Sequence, residues 1–467
     1  MFEALLDRAA AEPAYRQLYR RISGAVLDGT LTEGERLPSA RALASQLGLA
    51  RGTVEAAYGQ LAGEGYIQGR GAAGTFVAPV AIPAAAVPAP APRAGRPAAP
   101  AGRPLPFQMG LPALDAFPRK LWTRLAARQA HALSPLGLVA PDPAGIASLR
   151  QAIARYLAVA RGIAVPPEHV VVTAGFQGAL GLITRLLDVG DQPVWMEEPG
   201  YFLARAGLVA AGARVVQVPV DAEGLDVAAG MALAPTARLA LVSPSHQSPL
   251  GMALSLPRRL QLLDWAASCD GWIVEDDYDS EFRYVGRPLP PLKSLDRAGR
   301  VLYVGTFSKT LFPGLRLGYL VAPPPLTQRI AEIAALLGPL PAADAQATLA
   351  AFLAEGHFGR HVRRMRQLYA RRRAALAVEL EKAFGADRVA LGAGGMQILL
   401  RLDGAVDDLA MVEACRLAGL GPSPLSRAYA GPAKRRGLLL SFTNLAPEQA
   451  PAMVQRLARA LSVPLRP

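Results

Sequence analysis

Apolar positions near the start of the chain repeat with helical spacing. Tyr15, Leu18, Ile22, Ala25 and Val26 share one face, and Gly29 ends the run. Ser39, just after Pro38, is a good N-cap and predicts a helix reaching about Leu47. Gly48 and Leu49 make a tight turn. A further helix is predicted from about Arg51 to Glu64, with Val54, Ala57, Tyr58 and Leu61 facing inward and Gly65 stopping it. Tyr66-Ile67 and Thr75-Phe76-Val77 flank a glycine-rich tip, Gly69 to Gly74, and read as a hairpin. Helix, helix-turn-helix and hairpin together predict a winged helix-turn-helix.

Farther along, the pattern changes to short apolar runs alternating with helical ones. The strand-like runs are 170–175, 192–199, 214–220, 239–245, 272–278, 301–309 and 316–323. Such alternation predicts an α/β domain with a mostly parallel sheet and crossover helices. Ligands of such sheets collect at the carboxyl ends of the strands.

Composition separates the two patterns. From Pro79 to Pro106 there are nine prolines, many alanines and no acidic or aromatic residue, which cannot bury enough surface to fold. The 467 residues therefore divide into a module at 1–78, a semi-rigid tether at 79–106 and a large module at 107–467. No uncharged apolar run is long enough for a membrane span, and the first residues lack the layout of a signal peptide. The two cysteines, Cys269 and Cys415, form no disulfide framework and have no zinc spacing, so no metal is expected and a reducing cytoplasm fits.

The net charge of +13 suggests a polyanionic partner, although residues 1–78 carry eight Arg against eight acids. The motif locates the contact better than the charge does. The second helix of a helix-turn-helix enters the major groove, and here its first residues are Arg51, Gly52 and Thr53. Arg36 and Arg41 lie where the preceding elements cross the DNA backbone, Ser39 adds a hydroxyl, and Arg70 sits at the tip of the wing. Double-stranded DNA is the implied partner.

In the large module, several polar groups fall at strand ends and together suggest a pyridoxal phosphate site. Lys309 follows a buried strand, where a charged amine is costly and an imine is not. Thr306, Ser308 and Arg316 surround it with groups that suit a phosphate. The run EDDYDSEF at 275–282 supplies a carboxylate for a pyridinium nitrogen and a phenol for the ring's 3-oxygen; Asp276 and Tyr278 are chosen, with Asp277 the close competitor for the carboxylate. Gly175, Phe176 and Gln177 open a helix after a strand and offer backbone N–H groups to a phosphate. Tyr201 is placed to stack on the ring, and His246 and Gln247 lie either near it or in a structural turn.

The string GERLPSARALASQLGLARGTV, with YGQLAGEGYI and GAAGTFV, resembles the GntR family of bacterial regulators over residues 14–78. That resemblance implies DNA contacts from the positions of Arg36, Ser39, Arg41, Arg51 and Thr53. The strings EDDYDSEF, TFSKTLFPGLRLGY, EEPGY and PAGIASLRQAIARYLAVARGI resemble the fold-type I, class I aminotransferases. The whole chain resembles the MocR/GabR branch of the GntR regulators, in which a winged helix is tethered to an aminotransferase-like domain. The resemblance implies a large domain with a mostly parallel sheet, a small C-terminal α+β subdomain and a homodimer, head-to-tail in this branch. It makes Lys309 the imine-forming lysine and Asp276 the pyridine-nitrogen partner. Tyr278 becomes the 3-oxygen partner, Tyr201 the stacking ring, and Arg316, Thr306 and Ser308 the phosphate group. The effector would be an amino compound or the cofactor itself.

Two positions depart from the family pattern. Leu439 stands where class I aminotransferases carry the arginine that clamps a substrate carboxylate, and Ser248 stands for the usual asparagine of the N-P-T-G turn. Arg435, Arg436 or Arg401 are candidates to replace the missing arginine. Both departures favour an effector sensor over an efficient aminotransferase, the alternative reading. The stretch 360–373 holds seven Arg and no acid, and reads as a charged helical face or as a second DNA-contacting surface.

Overall fold

The computed structural model describes residues 12–79, 104–133, 139, 141–286, 289–337, 341–404 and 406–462. The chain divides into two compact units, Met1–Ala101 and Gly102–Pro467. Residues 80–103, most of the predicted tether, lie outside the described residues.

In the first unit the helices are Ala14–Leu27, Ala40–Leu47 and Arg51–Gly63. Ser39 Oγ accepts the backbone N–H of Ala42, as its N-cap position requires. Gly48, at φ +63°, closes that helix in the left-handed conformation that a side chain disfavours. Leu18, Ile22, Leu43, Val54 and Leu61 meet in one core. The hairpin pairs Ile67–Gly69 with Thr75–Val77. A third strand, Arg36–Leu37, adds to Thr75–Val77 with Arg36 opposite Phe76. Two residues have no periodicity to read, so only the folded unit shows this strand. Tyr58 Oη donates to Pro38 O at 2.9 Å and ties the third helix to the turn before the second.

The second unit is built on an eight-stranded sheet. Its order is Val170–Thr173, Gly318–Val321, Val301–Thr306, Trp272–Asp277, Leu239–Val242, Pro193–Glu198, Arg214–Asp221 and Gly224–Leu225. The strands from Val301–Thr306 to Arg214–Asp221 pair in parallel. Gly318–Val321 instead runs antiparallel to both neighbours. The chain between it and Val301–Thr306 holds only a short 3-10 turn, Pro313–Leu315, and no helix to carry a parallel crossover. The chain therefore doubles back across the sheet end, with Lys309 in the bend. Apolar clusters fill the space between the sheet and its flanking helices.

A smaller four-stranded antiparallel sheet has the order Val389–Ala390, Gln397–Leu402, Arg436–Ser441, Ser423–Pro424. It shares a core with the helices His357–Phe384 and Ala450–Ser462 through Tyr369, Leu376, Leu380, Ile398, Leu440 and Leu457. Much of the arginine-rich stretch is tied into this architecture. Arg364 and Arg366 donate to Ala116 O and Glu281 O at 2.7 and 2.9 Å. Arg372 pairs with Asp115, and Arg373 donates to Gly392 O. These four guanidiniums tie the long helix to neighbouring segments, Arg372 through the Asp115 carboxylate and the other three through backbone carbonyls. Among the described residues no helix is long and apolar enough to cross a membrane.

Candidate functional site

The carboxyl ends of the parallel strands surround a cavity of about 420 Å³, a volume ordinary for a small-molecule site. Tyr201 reaches it after Pro193–Glu198, Ser248 after Leu239–Val242, and Asp276 and Tyr278 at the end of Trp272–Asp277. Thr306 ends Val301–Thr306, Ser308 and Lys309 follow it, and Arg316 comes from the return turn. Phe176 and Gln177 line the cavity at the start of the helix Gly175–Leu186. Gly175 itself sits behind them. Its φ is +70°, and a Cβ on the facing Gly318 would lie 2.9 Å from the Gly175 Cα. Glycine at 318 lets helix and sheet approach here, and glycine at 175 suits the left-handed backbone, since a Cβ there would meet nothing within 4 Å.

Lys309 is held in a setting that disfavours its charge. Burial pushes its amine below the usual lysine range, while Asp279 and Asp276 oppose that effect. Its Nζ reaches Gly110 O at 3.4 Å. Gly110 has φ +84°, and a Cβ there would stand 3.3 Å from that nitrogen. This segment just after the tether lines the cavity, and the strand pattern of the sheet carries no trace of it.

Asp276 and Asp277 have separate fates because successive residues of a strand face opposite sides. Asp276 lines the cavity. Burial raises its carboxyl well above the usual range, Asp277, Asp279 and Glu197 add to the effect, and Lys309 opposes it. Asp277 forms a 2.6 Å ion pair with Arg161, both side chains being almost wholly buried. Tyr303 Oη also donates to Asp277. Asp277 is thus committed to the core, and Asp276 is the carboxyl a bound cation would find.

Tyr278 Oη lies 3.0 Å from His246 Nδ1, and the same nitrogen is 3.1 Å from an Asp279 oxygen. His246 therefore stands behind Tyr278. Gln247 donates to Pro199 O and Ser248 O and accepts from Leu250 N, a structural role in the turn. Tyr201 packs edge-on against Phe176, and burial pushes its hydroxyl up to about 12. Asp279 and Arg427 also line the cavity and were not singled out by sequence. Asp279 is the last aspartate of the acidic run, whereas nothing near Arg427 signals a site.

The donor set fits pyridoxal phosphate. A buried amine of lowered basicity suits an aldehyde, and a buried carboxyl suits a pyridinium. Arg316, Ser308, Thr306 and the opening of the helix Gly175–Leu186 suit a phosphate.

Glu197 is a further buried acid beside this site, with one oxygen accepting Ser243 N–H at 3.2 Å. Burial pushes its carboxyl up to about 8, against lowering by hydrogen bonds from Ser243 and Gln247. The folded state thus holds this proton more tightly than the unfolded chain. The associated stability is complete below the unfolded carboxylate range and is lost as pH rises through about 8. Between about pH 6 and 8, wild type should lose stability faster than Glu197→Gln, by at most about 1.4 kcal/mol per pH unit. Urea denaturation across that range measures the difference; parallel profiles would refute it.

In the first unit, Arg36, Ser39, Arg41, Arg51 and Arg70 are exposed or partly so, and Thr53 is half-buried. Arg36 lies over the wing, its Nε 3.1 Å from where a Cβ on Gly74 would stand. Arg70 packs over the Phe76 ring at 4.9 Å. Arg51 pairs with Glu55 at 2.7 Å, an exposed contact that costs little to open.

Residues 14–77 match the family of bacterial regulatory proteins named for gntR, and residues 119–419 match the aminotransferases of class I and II. The probable rhizopine catabolism regulatory protein MocR of Rhizobium meliloti is 39% identical, over 95% of this chain and 93% of its own. The pyridoxine biosynthesis transcriptional regulator PdxR of Corynebacterium glutamicum is 36% identical, over 91% of each chain. Among solved structures, an archaeal alanine:glyoxylate aminotransferase is similar over 77% of this chain and 91% of its own, with 26% identity and TM-score 0.71. LysN, the α-aminoadipate aminotransferase of Thermus thermophilus, was solved with N-(5'-phosphopyridoxyl)-L-leucine. It is 29% identical, with TM-score 0.69, over 76% of this chain and 92% of its own.

Proposed function

The chain belongs to the GntR family of transcriptional regulators, in the MocR-type branch that joins a winged helix to an aminotransferase-like domain, and from that premise we propose that it is a pyridoxal phosphate-dependent sensor of an amino compound or of the cofactor. The observation that carries this reading is the buried Lys309 amine, facing the same cavity as Asp276 in a chain that also holds a winged helix.

A class I and II aminotransferase fold implies pyridoxal phosphate, whose aldehyde captures amines reversibly when bound. Lys309 would hold the cofactor, and Asp276 would keep a proton on its ring nitrogen. Tyr278 would donate to the 3-oxygen with His246 behind it, and Tyr201 would cover the ring. Arg316, Thr306, Ser308 and the N–H groups at Gly175, Phe176 and Gln177 would hold the phosphate. An amine occupying the cavity would change the contacts around Lys309, Asp276 and Tyr278. That change regulates DNA only if the effector binds the DNA-competent and other states with different affinity. A cytoplasmic homodimer reading paired half-sites suits both modules.

The test is binding of the full chain to the DNA upstream of its own gene, with and without bound cofactor and candidate amines. Affinity that shifts severalfold with cofactor or amine supports the sensor; identical isotherms would defeat it. Many turnovers with a keto acid would instead identify a working aminotransferase. In the same assay Arg41→Gln and Arg51→Gln should each weaken binding. Each should also reduce the slope of log affinity against log salt by about one, as expected for a lost phosphate contact. An unchanged slope would remove that arginine from the interface.

A further inference from the structure

A second, much smaller cavity shares Asp279 with the one described above. Its volume is about 20 Å³, room for a single water-sized particle. Arg161, Ser245, His246, Asp279, Ser280 and Arg283 form its polar wall. Buried polar atoms ordinarily find a hydrogen-bond partner. Three atoms of this wall do not: Arg161 Nε, Arg283 Nε and Ser280 Oγ are shielded from solvent and have no partner among the described residues. Two of them can only donate, because a guanidinium has no acceptor, and the hydroxyl can donate as well.

The charges around the cavity are matched except for one. Arg161 pairs with Asp277 at 2.6 Å and donates to Ser245 Oγ at 3.3 Å. Both Asp279 oxygens face His246 Nδ1, at 3.1 and 3.2 Å. Among the described residues no carboxylate pairs with Arg283. The backbone fixes this wall. Arg283 pairs with Gly394 in an isolated antiparallel bridge, and Gly395 N donates to Phe282 O at 2.8 Å. A Cβ on Gly394 would stand 2.7 Å from Phe282 O, and one on Gly395 would stand 2.1 Å from His246 Cε1. Only glycine fits at either position, so this loop closes directly on Arg283 and His246.

We infer that this cavity binds a monatomic anion, chloride in ordinary solution, held by the Nε–H groups of Arg161 and Arg283 and by the Ser280 hydroxyl. A water molecule brings two hydrogens that need acceptors of their own. An anion accepts from all three donors and neutralises Arg283. Oxyanions such as sulfate and phosphate are too large for the space. The site is separate from the Lys309 cavity and does not depend on the function proposed for it. His246 joins the two, since it lines the small cavity and its Nδ1 meets Tyr278 Oη.

The test is urea denaturation of the full chain at constant ionic strength, with gluconate progressively replaced by chloride. Binding to the folded state divides the unfolding constant by one plus the ratio of chloride to its Kd. At about ten times that Kd the constant should therefore fall about tenfold, along a saturating curve. Bromide should act in the same way. Arg283→Met keeps the apolar stem and removes the charge, and should flatten the chloride dependence to within about twofold. A wild-type response that is absent, or that grows without saturating, overturns the inference without any variant. A saturating response that survives in Arg283→Met also overturns it, because the anion then binds elsewhere, such as beside Arg316. Crystals of the wild-type chain grown in bromide decide the matter if the variant does not fold. Anomalous scattering between Arg161 and Arg283 supports the site; an ordered water there with no bromide signal replaces the anion by solvent and overturns it.

Discussion

Replacing Lys309 with alanine should reduce covalent capture of pyridoxal phosphate from one equivalent per chain to none. The cavity has no second amine to take over, since Lys309 is the sole lysine along its wall among the described residues. Its burial also lowers the basicity of the amine, so a larger fraction is neutral and nucleophilic than on the surface. Lys293 is engaged elsewhere, with Asp296 and Val301 O. The measurement is the mass of the borohydride-reduced adduct, mapped by peptide, together with the visible absorbance of the loaded protein. Residual non-covalent binding through the Arg316 end of the cavity is expected in the variant. An adduct that persists in Lys309→Ala would place the capture at another residue and remove the basis of the proposed sensor.

Neighbouring aspartates should respond oppositely to mutation. Asp277→Ala leaves the buried Arg161 guanidinium without its 2.6 Å partner and takes the acceptor from Tyr303. Breaking a buried pair from one side costs about 3–5 kcal/mol. Asp276→Ala removes a carboxyl whose ionised form burial and three neighbouring acids disfavour. Its effect on the stability of the cofactor-free protein should be small, while its affinity for pyridoxal phosphate should fall at least tenfold. Urea denaturation and cofactor titration of both variants test the contrast. Equal destabilisation by the two substitutions would mean that the division of labour between them is wrongly drawn.

Much of this architecture was legible in the chain before it folded. The helical spacing from Tyr15 to Val26, the Ser39 cap and the glycine-rich wing each encode a local conformation, and each is observed. The seven strand-like runs all contain strands, six with ends shortened by one to three residues and one, 214–220, extended to Asp221. Lys309, Asp276, Tyr278, Tyr201, Thr306 and Ser308 converge on one cavity because strands lying in parallel present their carboxyl ends together. Alternation was enough to gather these six, while Arg316 joins them from the turn into an antiparallel strand that alternation did not reveal. The short strand Arg36–Leu37 was invisible because two residues have no period, and Gly224–Leu225 for the same reason.

What the sequence determined by itself was everything carried by local period and by order along the chain. That covers two modules, their helices and strands, and a set of polar groups at strand ends. What only the tertiary structure decided was the contact between residues far apart in the chain. It separated Asp276 from Asp277 by the side of the strand each one faces, and set Gly110 against Lys309 across 199 positions. It bound Arg364 and Arg366 to carbonyls at Ala116 and Glu281, and it brought Arg427 to the wall that Leu439 leaves uncharged. The physical reason is the range of each signal. Propensity and periodicity act over a few residues, whereas burial, ion pairing and cavity shape depend on which distant surfaces the packed core brings together.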